Sequence, residues 1–209
     1  MKYTTAAIAA ATVALGSATT CAVPPSTGPV VPGDIFKIIA LPETTPNFLD
    51  CKPIQAVRRN LLIGTADQGA NCTAGAEQNY ASFVVNGQGL VFLYTGAPPE
   101  STFDFQQLYV DRSGMGQGNI QYTTGPNQTI GRNQQYGPFK LTEQSELVFN
   151  SNNMPVGFQA CPLFDGDNSK GWKVWIADVA EPAHSKGCVK FTALAVKEEA
   201  PLACEYSFV

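Results

Sequence analysis

The sequence predicts an all-β protein, and three features of its pattern lead to that class. Short runs rich in Val, Ile, Phe and Tyr alternate with polar residues in period two, as in residues 120–123 (IQYT) and 139–142 (FKLT). Clusters of Gly, Asn and Pro separate these runs. Beyond the N-terminal segment, apolar residues nowhere recur at helical spacing over three turns. We therefore expect a compact antiparallel fold.

An internal echo suggests how the strands are arranged. Residues 82–92 and 139–149 both consist of a strand, a short polar turn and then Leu-Val-Phe, and related strands begin at Phe36 and Phe191. Three such units, closed by a last strand beside the first, predict a β-trefoil-like barrel of about twelve strands. A two-sheet β-sandwich fits the same strands. The predicted strands are 36–41, 54–57, 61–63, 82–85, 90–94, 107–110, 119–124, 139–142, 146–149, 157–160, 173–177 and 189–196.

The N-terminal segment predicts export from the cell. One Lys precedes a short Ala/Ile/Val/Leu run and then small residues, which is the pattern of a secretory signal peptide over residues 1–18, with a cut as late as residue 22 as the alternative. Residues 19–34 are a Pro/Gly-rich linker, and 35–209 are predicted to form a single all-β domain. The apolar run is too short to cross a bilayer, so we expect no membrane anchor.

The charge balance argues against nucleic acid as a partner. The net charge is −4, and only 14% of the residues are charged, against about 25% in ordinary soluble domains. A nucleic-acid surface needs clustered Lys and Arg, and this chain offers only the pair Arg58-Arg59, which we interpret as a solvated turn. Asn71 and Asn127 begin N-glycosylation triplets, which agrees with export.

The six cysteines are expected to form disulfides outside the cell. Spacing alone leaves fifteen pairings open. We favour Cys161–Cys188, which would staple the loop between them, and Cys51–Cys72 as a local bond. Cys204 would then pair with Cys21, provided that Cys21 remains after processing.

The segment 108–124 (LYVDRSGMGQGNIQYTT) contains the densest glycine cluster. A dinucleotide fingerprint or a P-loop needs a helix after the glycines, whereas here a predicted strand follows. The segment is therefore interpreted as a strand–turn–strand element in which the glycines serve backbone geometry. Asp111 and Arg112 are predicted to form a local pair that holds the turn, with a contact from Arg112 to a neighbouring residue as the alternative.

Catalytic and metal sites find little support in the sequence. The single histidine, His184, excludes a multi-histidine metal site and is interpreted as a solvated loop residue, although Asp178 could in principle meet it. No nucleophile elbow is present. Residues 165–169 (DGDNS) resemble a calcium loop but lack the rest of the EF-hand pattern. We predict no enzyme activity, no metal and no cofactor.

Aromatic side chains give the sequence one plausible binding surface. Tyr109, Tyr122, Tyr136, Trp172 and Trp175 could line a site for a polysaccharide. Trp172 and Trp175 fall on opposite faces of one predicted strand, so at least one of them is expected to pack inside. Tyr109 and Trp172, with Asp111 and Arg112, are the candidate binding or turn residues.

From about residue 71 to 196, the chain resembles the PhiA family of secreted fungal cell wall proteins, which is named for its role in phialide development. The resemblance is carried by residues 107–118 and 122–125, with weaker support from 71–72, 157–162, Trp172 to Trp175, 187–188 and 192–194. It implies a non-catalytic wall protein linked to asexual sporulation, that is, to phialide and conidium formation, or to stress protection. It implies no catalytic residue, and any disulfide at Cys51 or Cys204 is not part of it.

The sequence therefore leads to four hypotheses about function, of which the last is a hydrolase. The first is a structural protein of the cell wall, whose partners would be wall polysaccharide or other wall proteins. The second is a carbohydrate-binding module for glucan or chitin, and the third is a secreted effector or antimicrobial protein. A hydrolase would need two close carboxylates in a cleft, which no residue context marks.

Overall fold

A computed structural model describes residues 28–43, 49, 51–96, 106–125, 128–164 and 167–206. The predicted signal peptide, most of the linker, Cys21 and Asn127 lie outside these residues. Within them the chain is all-β, as predicted, with sixteen strands and two single-turn 3-10 helices. The strands are β1 (Ile35–Pro42), β2 (Ile54–Val57), β3 (Asn60–Ile63), β4 (Asn71–Cys72), β5 (Ser82–Val85), β6 (Val91–Leu93), β7 (Leu108–Asp111), β8 (Asn119–Tyr122), β9 (Gln134–Gln135), β10 (Phe139–Leu141), β11 (Glu146–Ser151), β12 (Met154–Val156), β13 (Phe158–Phe164), β14 (Asp167–Ile176), β15 (Val189–Lys197) and β16 (Cys204–Glu205).

One curled antiparallel sheet holds fourteen of these strands. Ten of them follow a continuous path in the order β6-β5-β1-β15-β13-β14-β3-β8-β7-β9, and the sheet curls into a half-barrel. β2 extends it beside β3, and β10 and β12 flank β11, which pairs with β15. β4 and β16 form a separate two-stranded sheet. In the part of the chain that the structure describes, no helix is long and apolar enough to cross a membrane.

The positions of the predicted strands are confirmed, although the chain has more strands than predicted. All twelve predicted strands are present, and the four additional ones, β4, β9, β12 and β16, have two or three residues each. The two echoing segments are both hairpins, with Phe83 opposite Leu93 and Phe139 opposite Phe149. The last long strand, β15, lies beside β1, as the predicted closure requires. The sheet forms a half-barrel, which is more open than the predicted closed barrel of three repeated units.

The recurring phenylalanines of the echo belong to the core. Phe36 stacks on Phe83 with ring centroids 6.1 Å apart, and Phe139 meets Phe149 edge-on at 5.2 Å. Phe191 is buried as well, beside Phe158. Burial of each such ring stabilises the fold by about 1.5–3 kcal/mol. Packing against one shared core therefore explains why these residues recur in the sequence.

Two disulfides join described residues, and one of them corrects the predicted pairing. Cys161–Cys188 is present as predicted. Cys72 is bonded to Cys204, so both Cys51–Cys72 and Cys21–Cys204 are wrong. The reason is the register of the small sheet, which places Cys72 directly opposite Cys204. Cys51 is also disulfide-bonded, and its bond lies partly outside the described residues.

The Cys72–Cys204 bond closes the longest covalent loop between described residues. Its two cysteines are 132 positions apart in sequence. A cross-link across a loop of this size stabilises a fold by about 4–5 kcal/mol, because it restricts the unfolded chain. It ties β16, near the C-terminus, directly to β4.

Glu198, which follows β15, is a half-buried acid at the edge of the core. Its backbone amide donates to the Ile35 carbonyl at 3.0 Å. Burial raises the pKa of its carboxyl above the ordinary value, and hydrogen bonding to Ser82 and Tyr80 and the charge of Lys37 only partly oppose this. Its Oε1 has no hydrogen-bond partner among the described residues. The ionised form is therefore poorly accommodated.

The raised pKa of Glu198 predicts a pH-dependent gain from Glu198→Gln. Because the folded pKa lies above that of the unfolded chain, the stability contributed by the protonated acid is present below about pH 4.3 and lost as the pH rises through the folded pKa. We therefore expect E198Q to raise the melting temperature at pH 7 and to change it little at pH 3. Thermal unfolding across this range measures the effect.

Glu143→Gln provides the control for this experiment. Glu143 lies in the exposed turn between β10 and β11, so the same change of charge there should leave the pH profile as in the wild type. Equal shifts at pH 3 and pH 7 in E198Q would show that the ionisation of Glu198 does not limit stability.

Candidate functional site

The glycine-rich segment is a tight turn between β7 and β8, as the sequence predicts. Asp111 lies opposite Asn119 in the ladder, and the Gly118 amide donates to the Asp111 carbonyl at 2.7 Å. Gln117 and Gly118 have φ of 48° and 92°, in the left-handed region that favours glycine. A strand follows directly, so no helix N-terminus is available to hold a phosphate.

The carboxylate of Asp111 accepts hydrogen bonds that stabilise this turn. Its Oδ1 accepts a hydrogen bond from the Ser113 amide and its Oδ2 accepts one from Gln134 Nε2, both at 2.9 Å. Burial alone would raise the pKa of this carboxyl, but the hydrogen bonds from Ser113 and Gln134 outweigh it and hold the pKa below its ordinary value. The backbone of Gly116 packs so closely that a Cβ there would clash with Asp111 Cγ.

Arg112 has a different partner from the predicted one. Its Nη2 lies 3.1 Å from Asp178 Oδ2, and its Nη1 donates to Ser151 Oγ at 3.0 Å. The guanidinium carbon is 5.9 Å from the Phe149 ring centroid. The predicted local pair with Asp111 is therefore wrong, because Arg112 pairs with Asp178, which is distant in sequence. Consecutive residues at a strand end point to opposite sides, which separates the two side chains.

The turn docks on the end of β14 and on the segment that follows it. The Ile176 amide donates to the Gly118 carbonyl at 2.9 Å, and the Ala183 amide donates to Gln117 Oε1 at 2.7 Å. Together with the Arg112–Asp178 pair, these contacts join residues 112–118 to residues 176–183, and we call this contact region the loop junction. A few residues further along the chain, Cys188 is bonded to Cys161 on β13.

Four of the five aromatic candidates are buried, whereas Tyr136 is partly exposed and donates its hydroxyl hydrogen bond to the Gln128 carbonyl at 2.8 Å. Tyr109 is 5% exposed and donates its hydroxyl hydrogen bond to Gln121 Oε1 at 3.1 Å. Trp172 is 4% exposed and belongs to the core, and Trp175 is 5% exposed on the opposite face of β14. Tyr122 is fully buried, and burial raises its pKa to about 12. The four buried rings serve packing.

The remaining residues that the sequence singled out do not form a common site. His184 is exposed in the 3-10 turn Pro182–His184, and its suggested partner Asp178 pairs with Arg112 instead. Asn71 is exposed in β4, as a glycosylation acceptor needs to be, whereas Asn127 lies outside the described residues. Across the described ranges, no three His, Cys, Asp or Glu side chains come together as a metal site. The calcium-like loop at 165–169 has no described side chains.

A groove on the outer face of the sheet is a feature that the sequence did not reveal. Its volume is about 700 Å³. The register explains its floor, because Lys173 on β14 lies opposite Leu62 on β3, while Trp172 and Val174 point into the core. We call it the Lys173 groove. Its lining consists of Val57, Arg58, Asn60, Leu62, Thr65, Asp67, Gln68, Gly69, Leu163 and Lys173.

A network of amide side chains, in which Gln55 and Gln68 are buried, fixes one wall of the Lys173 groove. Gln55 Oε1 accepts from the Thr65 amide at 2.8 Å, and Gln55 Nε2 donates to Asn79 Oδ1 at 2.7 Å. The same Asn79 oxygen accepts from the Gln68 amide at 3.0 Å, and Gln68 Nε2 donates to the carbonyl of Tyr80 at 2.8 Å. Because these groups satisfy one another, segment 65–69 is held in one conformation.

Lys173 is the electrostatic centre of this groove. Its Nζ lies 5.0 Å from the centroid of the Trp175 ring, a distance that permits a cation–π contact. Burial lowers the pKa of the amine. Among the described residues, no carboxylate forms an ion pair with it. The groove therefore contains a partly desolvated cation whose only described electrostatic partner is an aromatic face.

The loop junction predicts a stability cost for Arg112→Ala. The change removes a partly buried ion pair, a hydrogen bond and the contact with Phe149, which together we expect to cost about 1–2 kcal/mol. For a chain of this size the melting temperature should fall by about 3–6 °C, as measured by calorimetry. Arg132→Ala, on an exposed turn, should leave it nearly unchanged. Equal losses in the two variants would contradict the role of Arg112.

The glycines of the turn allow a sharper comparison. A Cβ at Gly118 would lie 2.6 Å from Ile176 Cγ1, at a φ that favours glycine. At Gly114 a Cβ would meet nothing within 4 Å, and φ is not positive. We expect Gly118→Ala to destabilise the protein by about 2 kcal/mol or more, and Gly114→Ala to be neutral or slightly stabilising. Urea unfolding of both variants decides, and equal effects would refute close packing at Gly118.

Comparisons with known proteins agree with the sequence resemblance. Residues 36–207 match the family model described as PhiA-like secreted protein. A cell wall protein phiA from Emericella nidulans is 36% identical over 149 residues, which cover 71% of this chain and 74% of that protein. The cell wall protein phiA of Arthroderma benhamiae is 33% identical over 205 residues, covering 96% of this chain and 98% of that protein.

A third relative, the cell wall protein phiA of Aspergillus fumigatus, is 28% identical over 209 residues and aligns along its whole length. No solved structure matches the chain significantly. The family match covers nearly all of the described fold, including the loop junction and the Lys173 groove. The chain therefore belongs to the PhiA-like secreted protein family, and its place is outside the cell, in the cell wall.

Proposed function

We propose that this protein is a non-catalytic structural component of the cell wall that acts in asexual sporulation, in the formation of phialides and conidia, or in protection of the wall against stress. One observation carries the proposal. The family resemblance centres on residues 107–118. Polar side chains of this segment form hydrogen bonds and an ion pair within the protein. Asp111 holds the turn, Arg112 reaches Asp178, and Gln117 binds the Ala183 amide.

The construction of the rest of the domain supports a durable scaffold. Two disulfides between described residues and a third at Cys51 cross-link the chain, which is typical of proteins exposed to the extracellular environment. The amide network and the long β1–β15 ladder add stability that does not depend on a bound metal or cofactor. Such a domain suits a role in which the folded protein itself is the working part.

Gene deletion and complementation in the fungus of origin test this function. We expect the deletion strain to form fewer conidia, or to grow poorly on dyes that disturb the wall, and the wild-type gene to restore both. Complementation with Gly118→Ala should fail or be partial, because the loop junction no longer closes, whereas Gly114→Ala should complement. Normal conidiation and normal dye resistance in the deletion strain would overturn the proposal.

The carbohydrate-binding and effector hypotheses are less well supported. A glucan- or chitin-binding module was suggested by exposed aromatic rings, and Trp172 and Trp175 are buried. An effector that acts on another organism draws no support from any described residue. Retention on insoluble chitin or glucan, or growth inhibition of a competitor by the purified protein, would favour these alternatives over the structural role.

A further inference from the structure

One motif of the sequence takes no part in the structural role proposed above. The triplet Asn71-Cys72-Thr73 has the pattern of an N-glycosylation acceptor, in which the asparagine amide receives the sugar and a threonine follows two positions later. It lies on β4 and at the start of the 3-10 turn that follows. Asn71 and Thr73 are exposed, whereas Cys72 between them is 6% exposed. Both side chains of the acceptor pattern therefore face solvent.

A glycan on Asn71 is compatible with the folded domain. Successive side chains of an extended strand point to opposite sides, and Cys72 is extended, with φ of −102° and ψ of 155°. The sulfur of Cys72 is bonded to Cys204 on the buried side, so the Asn71 amide points outward. Glu205, which lies opposite Asn71, is exposed as well. A sugar attached at Asn71 extends into solvent and leaves the disulfide and the core untouched.

The backbone of the triplet, in contrast, is occupied once the protein has folded. The β4–β16 ladder covers its first two residues and places Cys72 opposite Cys204. The Thr73 amide donates to the Ala203 carbonyl at 2.9 Å. Each residue of the triplet therefore has a partner in segment 203–205, and the disulfide holds the two strands together. An enzyme that binds the acceptor peptide in a cleft of its own needs this backbone free.

Buried contacts of Tyr206 hold the C-terminal segment in place. Tyr206 is fully buried, and its hydroxyl accepts a hydrogen bond from the Ser82 amide at 2.9 Å. Its own amide donates to Gln106 Oε1 at 2.9 Å, and Gln106 Nε2 donates to the Tyr206 carbonyl at 2.8 Å. Release of β16 from β4 requires these contacts to break together with the disulfide. The folded, oxidised protein is therefore a poor acceptor.

The order of synthesis gives the triplet a period in which its backbone is free. Cys204 follows Cys72 by 132 positions. At a synthesis rate of about 5–20 residues per second, the growing chain reaches Cys204 about 7–26 s after Cys72. Until then neither the Cys72–Cys204 bond nor the β4–β16 ladder can form.

We propose that Asn71 carries an N-linked glycan and receives it before segment 203–206 docks on β4. In the transfer, Asn71 Nδ2 forms a bond to C1 of a lipid-diphosphate-linked oligosaccharide. The bond between C1 and the diphosphate oxygen breaks, the lipid diphosphate leaves with the electron pair, and the amide loses one proton to the transferring enzyme. Docking of segment 203–206 and closure of the disulfide follow. The inference adds a modification to the structural role, and it holds or fails independently of sporulation.

Mass spectrometry of the protein secreted by a yeast host tests the site. Asn127→Gln first removes the second acceptor triplet of the sequence. In that background, an N-glycosidase that converts a glycosylated asparagine into aspartate should report modification of Asn71 in most molecules. Thr73→Ala should abolish the glycan, whereas Thr73→Ser, which keeps the hydroxyl, should retain it.

Transfer in vitro tests the order of glycosylation and disulfide closure. The unglycosylated protein, folded and oxidised, is offered to purified oligosaccharyltransferase with the lipid-linked oligosaccharide. We expect Cys204→Ser, which opens the bond at β4, to be glycosylated at least tenfold faster than the wild type. Cys188→Ser is the matched control, because it also frees one thiol but opens the bond to Cys161 on β13. It should remain as slow as the wild type.

Pulse labelling in the yeast host measures the order without a cysteine variant, and it decides the question if Cys188→Ser does not fold. Chains trapped with a thiol-reactive polymer should carry the Asn71 glycan while Cys72 is still reduced. Four results would overturn the proposal. They are an unmodified Asn71 in the secreted protein, equal transfer to the wild type and Cys204→Ser, equal transfer to Cys204→Ser and folded Cys188→Ser, and oxidised chains that gain the glycan later.

Discussion

The docking of the β7–β8 turn onto the end of β14 is the contact that holds the glycine-rich segment against the centre of the sheet. β14 lies at the centre of the sheet, where it pairs with β13 on one side and with β3 and β8 on the other. The hydrogen bond from the Ile176 amide to the Gly118 carbonyl continues that pairing past the end of the ladder. The turn can approach so closely only because Gly118 has no side chain.

This position of β14 determines which of its side chains face the core and which face outward. Trp172, Val174 and Ile176 fill the interior, so the alternate residues Lys173 and Trp175 must lie on the outer face. The outer face is then covered unevenly. Segment 65–69, held by the buried amides, and the segment after Cys161, held by its disulfide, leave Lys173 between them. A rigid scaffold and a charged groove thus follow from the same strand order.

Much of this architecture could be predicted from the sequence, because it depends on local patterns. Period-two alternation located all twelve predicted strands, and the Leu-Val-Phe echo marked two true hairpins. Glycines followed by a strand were enough to distinguish the turn from a phosphate-binding loop. Cys161–Cys188 was predicted because it staples the loop between its two cysteines.

The features that were missed depend on the register between distant strands. Cys72 meets Cys204 only because a two-residue strand near the C-terminus pairs with β4, and strands of that length leave no pattern. Arg112 finds Asp178 because β8 and β14 are neighbours. The Lys173 groove combines residues 57–69 with Leu163 and Lys173, which no local spacing connects. Its one signal in the sequence was a lysine between two buried strand residues.

A double-mutant cycle on Arg112 and Asp178 tests most directly whether the turn is held to the end of β14. The free energy of unfolding would be measured for Arg112→Ala, Asp178→Ala, the double variant and the wild type. For a partly buried ion pair we expect a coupling energy of about 0.5–1 kcal/mol, with each single variant destabilised. Strictly additive effects of the two substitutions would show that the pair does not join the turn to β14.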